Sequence, residues 1–431
     1  MFDALEKCLE SNRAAEADLV QLRGQTRTIT TCAVKNGTVD QFSVSSLCGV
    51  GVRVLIDKKS WGFSSTNISD VEHVSEALEN ALTLAKAASR LKKERMELES
   101  VREEAVTVSA PVKRSLQSIS AEDIVLIPLE ACKGAMEAGQ QVADVRATYI
   151  SVEDQKYFLS SEGVRINQNQ TRVMLFVDVI AKSNDTICPA SENLGHTGGL
   201  ELFDKTTPHA LGKRVGQKAV RLLTARAPPS GTFTVIIHPT LCATLLHEAI
   251  GHPLEADLAM AGGGFGTQVN KLVSSELVTI YDDGSIQNGL GYFPYDDEGI
   301  KCTRTVLIEK GILKSFMHDR ESASRAGVPP TGNAHAWDYS VEPLIRQTNI
   351  GIEAGDYTQE EMVQEVKEGL FLEGTFGGQA DSNADFTFGF QSAQKIENGA
   401  FTEEFRGANV AGNAIEVFKT CLLYTSDAAD E

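Results

Sequence analysis

The sequence predicts an α+β protein: a mixed α/β N-terminal domain over residues 1–228, then a C-terminal domain over residues 229–420 dominated by a twisted antiparallel β-sheet. Three observations lead there. A chain of 431 residues has the length of two ordinary domains. Its texture changes at Pro228-Pro229-Ser230-Gly231, a run that interrupts regular structure. Before that run helical stretches alternate with strand-like ones, whereas beyond Asn270 the chain reads almost wholly as strands and turns.

The elements follow in order. An acidic amphipathic opening, MFDALEKCLE, reads as a helix, and residues 25–34 read as a strand that turns at Asn36-Gly37, a hairpin dipeptide. Residues 50–56 and the stretch around Trp61-Gly62-Phe63 continue the meander. Ser69 with Glu72 three on forms a capping box and predicts a helix to about residue 98. Residues 99–118 are polar and unpatterned and read as a loop. Ser120 caps a second helix, with Pro128 as a candidate kink. Residues 142–182 alternate around a turn at Glu162-Gly163, and a third helix is expected over about 200–226. In the second half, residues 233–237 form a buried-type strand running into a short helix. Turns at Asp283-Gly284, Lys310-Gly311 and Asn398-Gly399 predict one large sheet, interrupted by a helix from Thr358 to about Leu370.

Composition narrows the function. Forty basic and 59 acidic residues give a net charge of −19, which repels phosphate backbones and argues against direct nucleic-acid binding. No apolar run reaches the length of a membrane span. Eight cysteines are scattered without a pairing pattern, so the expectation is a reduced, cytoplasmic protein with no membrane attachment.

Residues 245–257 read Leu-Leu-His-Glu-Ala-Ile-Gly-His-Pro-Leu-Glu-Ala-Asp. The short zinc-peptidase signature sets its histidines four apart, but His247 and His252 are five apart. Two histidines near a helix end often only cap carbonyls or pack in a core. Here Glu248 follows the first, the segment starts from a buried strand, and Gly251 and Pro253 flank the second. On a regular helix, residues five apart point about 140° away from each other, against about 40° for four apart. A widened turn, or an end to the helix at Gly251 with Pro253 pushing His252 out of the helical region, swings His252 back toward His247. Glu248 then stands off the histidine face, a place that suits a base better than a ligand.

These residues carry a resemblance. The stretch His247-Glu248-Ala249-Ile250-Gly251-His252 resembles the His-Glu-x-x-x-His signature of the TldD/PmbA family of zinc metallopeptidases, on the catalytic TldD side. Similar landmarks follow in family order: Ser275-Glu276-Leu277-Val278-Thr279 with Asp282-Asp283-Gly284, then Asp297-Glu298-Gly299, residues 306–314, Pro330-Thr331-Gly332-Asn333 and Gly377-Gly378-Gln379. Gly49-Val50-Gly51-Val52-Arg53 extends the likeness into the first half, so that it covers about residues 15–420. The resemblance implies a Zn2+ ion held by His247 and His252, with Glu248 as general base for a metal-bound water. It implies a chamber enclosed by two subunits, a homodimer or a heterodimer with a family paralogue, which admits unfolded or thin peptides bound as an added β-strand. The competing reading is a non-catalytic peptide-binding or scaffolding subunit of such a complex.

The family's third zinc ligand is a cysteine in a Cys-Gly-Lys segment near its C-terminus. No Gly-Lys follows Cys421, and residues 421–431 resemble a translated sequencing adapter, so they are expected to be a non-native tail, the C-terminal domain is expected to be incomplete and the chain as given inactive, and Cys421 is not taken as a ligand. Glu255 and Asp257 are equally readable as partners of a histidine or as solvated loop residues. His335 and Asp338 are expected on the surface, His238 at the end of its strand, and Gly262-Gly263-Gly264 with Gly266 in a flexible loop beside the site.

Overall fold

A computed structural model describes residues 1–101, 105–381 and 383–421. The first half is built on one sheet of seven strands: β1 (Leu19–Lys35), β2 (Thr38–Ile56), β3 (Ser60–Thr66), β4 (Ala105–Ser109), β5 (Val142–Ser160), β6 (Arg165–Ser183) and β7 (Thr186–Thr197). The order is β3-β2-β1-β5-β6, and both β4 and β7 pair with β6. Asn36 and Gly37 have φ of 50° and 78°, the two left-handed residues that a tight hairpin demands, so the long β1–β2 ladder starts in register.

One face of this sheet is covered by helices. Against it lie α1 (Phe2–Leu9) and α2 (Val71–Ser89), which bury Leu5, Leu78 and Leu82 on Val20, Leu22 and Val52. Further along, α3 (Ala121–Met136) and α4 (Pro208–Leu222) bury Ala131, Cys132, Leu211 and Val215 on Tyr149, Leu175 and Val177. The other face receives the second half of the chain. Gln25 accepts from the Tyr339 N–H at 2.9 Å, Lys156 meets Asp297 at 3.0 Å, and Gln168 donates to the Tyr295 carbonyl at 3.1 Å.

The second half contains β8 (Val235–Ile237), β9 (Ile280–Asp283), β10 (Arg304–Glu309), β11 (Ile312–Leu313), β12 (Ala334–His335), β13 (Leu344–Ile345), β14 (Ile350–Ile352), β15 (Glu368–Ala380), β16 (Asp385–Glu397) and β17 (Ala400–Asn413). They form two four-stranded sheets, β11-β10-β9-β14 and β17-β16-β15-β8, and a β12–β13 pair. All pairings are antiparallel except β8 with β15. The core of this half gathers Ile280, Leu307 and Leu313 from one sheet and Leu370, Phe388 and Phe390 from the other around α5 (Pro239–Leu245) and the residues that follow it. Among the described residues no helix is long and apolar enough to cross a membrane.

The α+β expectation holds, with local corrections. The second half has two four-stranded sheets in place of one large sheet, and Asp283-Gly284 is not a hairpin turn: residues 284–303 intervene between β9 and β10, which still pair. Helix α2 is capped by Asp70, whose carboxylate accepts from the His73 N–H at 2.9 Å, and it ends at Ser89. Beyond it, Met96 and Leu98 pack on Leu19, Leu55 and Trp61, which favours an extended chain over a longer helix. Residues 105–109 pair as β4 inside the expected loop, while residues 102–104 lie outside the described residues. The third helix begins at Pro208, capped by Thr207. The helix after Thr358, α8 in chain order (Gln359–Glu365), stops where the chain joins the sheet as β15. A helix not foreseen, α7 (Arg320–Ala326), is capped by Asp319 and closed by left-handed Gly327.

Candidate metal centre

The site grows from the edge of a sheet. Strand β8 lies beside β15, and His238 ends it, its ring accepting from the Thr240 N–H as Pro239 opens α5. Leu241, Leu245, Leu246, Ala249, Ile250 and Leu254 face the core and fix the roll of the segment. Over Leu246–Gly251 the helix widens, and the His252 N–H donates to the His247 carbonyl five residues back. The extra residue in the turn does what the spacing requires. The two imidazoles lie with ring centroids 4.8 Å apart at an interplanar angle of 80°.

Two details differ from the sequence reading. His252 keeps helical angles, φ −58° and ψ −46°, and a short 3-10 turn, His252–Leu254, follows. Pro253 is tolerated there because the first turn of a helix needs no N–H from it. The widening alone thus brings the rings together. Glu248 also joins the histidines: donor atoms of His247, Glu248 and His252 all lie within 4.8 Å of one another.

Glu255 settles the question left open for it. It is 0 % exposed, its Oε1 lies 2.9 Å from His252 Nδ1 and its Oε2 accepts from Arg346 Nη1 at 3.1 Å. The Glu255 hydrogen bond raises the His252 pKa above the usual histidine value, whereas desolvation and the neighbouring His252 lower that of His247. Asp257 is exposed and accepts from the Leu258 N–H. Arg346 and Gln347, whose Nε2 donates to the His247 carbonyl at 2.9 Å, were invisible in the sequence. Arg346 stands 91 residues from Glu255 and no spacing links them.

The remaining candidates fall elsewhere. His335 is buried against Phe293, with centroids 4.4 Å apart, contrary to the expected surface position; burial pushes its pKa down to about 4. Asp338 is half-buried and accepts from the Ser340 N–H and hydroxyl. The glycine-rich run follows α6 (Ala256–Met260). Cys421 packs on the second-half core and beside Cys242, outside the three-residue cluster, and residues 422–431 lie outside the described residues.

Comparison with known proteins places the chain in a family. Models for the three parts of one family match in chain order: PmbA/TldA metallopeptidase domain 1 over residues 20–88, the central domain over 114–223 and the C-terminal domain over 230–430. A metalloprotease from Methanocaldococcus jannaschii is 32% identical over 428 residues, covering 99% of this chain and 92% of that one. A zinc metalloprotease TldD homolog from Saccharolobus solfataricus is 32% identical over 275 residues, 63% of this chain and 61% of its own length. A solved Thermotoga maritima structure, described as a candidate modulator of DNA gyrase, matches with TM-score 0.84 at 22% identity over 99% of this chain and 95% of that one. TldE from Thermococcus kodakarensis matches with TM-score 0.80 at 20% identity over 98% and 94%. At such identity the two structures speak to the fold alone.

Proposed function

The chain belongs to the PmbA/TldD metallopeptidase family, and we propose that within it this protein is a zinc-dependent peptidase working through His247, His252 and Glu248. The observation that carries the reading is the three-residue cluster, with donor atoms within 4.8 Å and a buried carboxylate on one histidine. The donor set suits the ion. Imidazole is a favoured zinc donor, and a ligating histidine ordinarily gives its second nitrogen to a carboxylate or carbonyl. Glu255 on His252 Nδ1 is such a partner and leaves Nε2 for the ion.

His247 and His252 would hold the zinc, which when bound would polarise the scissile carbonyl and make water acidic enough to ionise near neutral pH. Glu248 takes the proton from the attacking water and returns it to the leaving amine. Catalytic zinc ordinarily has three protein ligands, and none of the described cysteines joins the cluster as a third. The substrates are unfolded or thin peptides read along their backbone as an added strand. The working assembly is a homodimer, or a heterodimer with a family paralogue, in the cytoplasm.

The test compares the protein with Glu248→Gln for bound metal and for hydrolysis of an unfolded peptide. The variant is expected to keep its metal and lose about 10²–10⁴-fold in turnover. Near-normal turnover by the variant removes Glu248 as the base. A parent that binds zinc and cleaves no peptide is instead the non-catalytic partner of such an assembly. Equal cleavage of one test protein in its folded and unfolded forms would rule out the strand-binding mode.

A further inference from the structure

We infer that Arg346 and Gln347 are positioning residues that clamp the paired histidines, Arg346 acting on His252 through Glu255 and Gln347 acting on His247 through its backbone carbonyl. The inference rests on reading His247 and His252 as the metal ligands.

Gln347 is fitted to the widened turn. The His247 carbonyl already accepts the His252 N–H across the long turn, and Gln347 Nε2 adds a second donor at 2.9 Å. Widened turns are rare because their geometry is poorer than that of an ordinary helix, so an added partner at their defining carbonyl helps to hold one in place. Gly251 shows how closely the side chain lies. Its backbone, φ −61° and ψ −58°, is open to any residue. A Cβ there would fall 2.0 Å from Gln347 Oε1 and 2.1 Å from Cδ. The glycine of the motif is therefore room for Gln347, not a helix breaker.

Arg346 supports the other ring. Glu255 is wholly buried, and a buried carboxylate without a cation is costly. Arg346 Nη1 supplies the cation at 3.1 Å and also donates to the Ile345 carbonyl at 2.8 Å, which turns the half-exposed guanidinium toward buried Glu255.

The pair is itself backed. The Arg346 N–H donates to the Asn333 carbonyl at 2.8 Å, and Asn333 Nδ2 donates to the Arg346 carbonyl at 3.0 Å. Asp282 accepts from Asn333 Nδ2 at 2.7 Å and from the Thr348 N–H and hydroxyl at 2.8 and 2.7 Å. Asp282 and Asn333 are 2 % and 1 % exposed. Residues on both sides of Gln347 are thus tied to buried groups, so it approaches the turn from a fixed base. Supports of this kind are worth about 10–100-fold in metal affinity.

The test measures Zn2+ affinity by chelator competition, the visible spectrum of the Co2+-loaded protein, and urea unfolding of the metal-free protein. Gln347→Leu and Arg346→Met are each expected to weaken Zn2+ binding about tenfold or more and to shift the cobalt spectrum; Gln347→Leu leaves the metal-free unfolding midpoint little changed, and Arg346→Met, which takes the cation from buried Glu255, lowers it while the metal-free protein still unfolds in one cooperative transition. Arg346→Lys, which keeps a cation for Glu255, recovers most of the affinity. Gly251→Ala reproduces the Gln347→Leu loss by pushing the amide away, and the two effects do not add. Parental affinity and spectrum in both Gln347→Leu and Arg346→Met overturn the clamp and leave the metal site standing. Losses that merely follow a collapse of the metal-free protein also overturn it. A parent that binds no better than His247→Ala ends the metal-site reading and the clamp together.

Discussion

Glu255 joins two residues that the chain keeps far apart, His252 on one oxygen and Arg346 on the other. Its hydrogen bond, and then its charge, raise the His252 pKa, so Glu255→Gln, which weakens the bond and removes the charge, should let His252 titrate at lower pH in the metal-free protein. A histidine titration followed by NMR checks this, and an unchanged His252 curve would contradict it. Cys421 lies outside the cluster, so Cys421→Ser should leave the zinc content after dialysis unchanged. Stoichiometric zinc that disappears with this substitution would make Cys421 a ligand. His247, Glu248 and His252 were legible in the sequence because six consecutive residues carry them. Glu255 was only half-legible, since nothing local separates a buried partner from a loop acid. Arg346 and Gln347 were not legible, because the fold alone brings them to the motif.

At the scale of elements, local chemistry was read best where it is most local. Asn36-Gly37, Lys310-Gly311 and Asn398-Gly399 all make hairpin turns, with left-handed φ at each residue. Ser120 and Thr358 cap their helices as expected, each within a capping box. Helix ends were overshot where tertiary partners claim the chain, as β8 and β16 claim residues 368–372. Burial of His335 on β12 was missed because a histidine in a strand looks the same wet or dry. That burial has a consequence for stability. Burial is the main cause of the lowered pKa; Lys156 and Arg172 also oppose its proton, while Asp297 favours it. Between pH about 4 and about 6.5 the unfolded chain holds a proton on this ring that the folded chain lacks. Stability from this residue is therefore full above that window and is lost as pH falls through it. Lowering the pH from about 7 to about 5 should remove about 2 kcal/mol through His335. Urea unfolding of the parent and of His335→Asn at both pH values isolates the term, since the variant cannot titrate there. Parallel losses in the two proteins would refute the assignment.

Over the whole molecule, the two halves meet on buried charge. Arg53 of β2 pairs with Glu298, Lys156 of β5 with Asp297 at 3.0 Å, and Arg320 of α7 with Glu162 at 2.8 Å. Burial alone would raise the Asp297 pKa, but Lys156 and Arg23 hold it down to about 2. Two of the sequence landmarks therefore meet in space: Gly51 and Arg53 of the first half face Asp297-Glu298-Gly299 and Tyr339 of the second. Gly51 has no room for a side chain, since a Cβ would fall 2.3 Å from the Tyr339 carbonyl oxygen. These two landmarks are thus positions where one half is fitted to the other, and residues 292–339 reach from this seam to Asn333 behind Gln347. Arg53 is also stacked on Trp61, 3.9 Å from the ring centroid, so its guanidinium cannot easily turn to water. Removing it strands the wholly buried Glu298 carboxylate, although the Arg320 N–H still donates to its other oxygen at 2.8 Å. Arg53→Met should therefore cost about 3–5 kcal/mol in urea unfolding, the usual penalty for orphaning a buried charge. Arg53→Met with Glu298→Gln removes both charges and should cost less than the two single substitutions added together. Strict additivity would mean that the two residues act independently, and the seam would then be a meeting of separate charges rather than a pair that joins the halves.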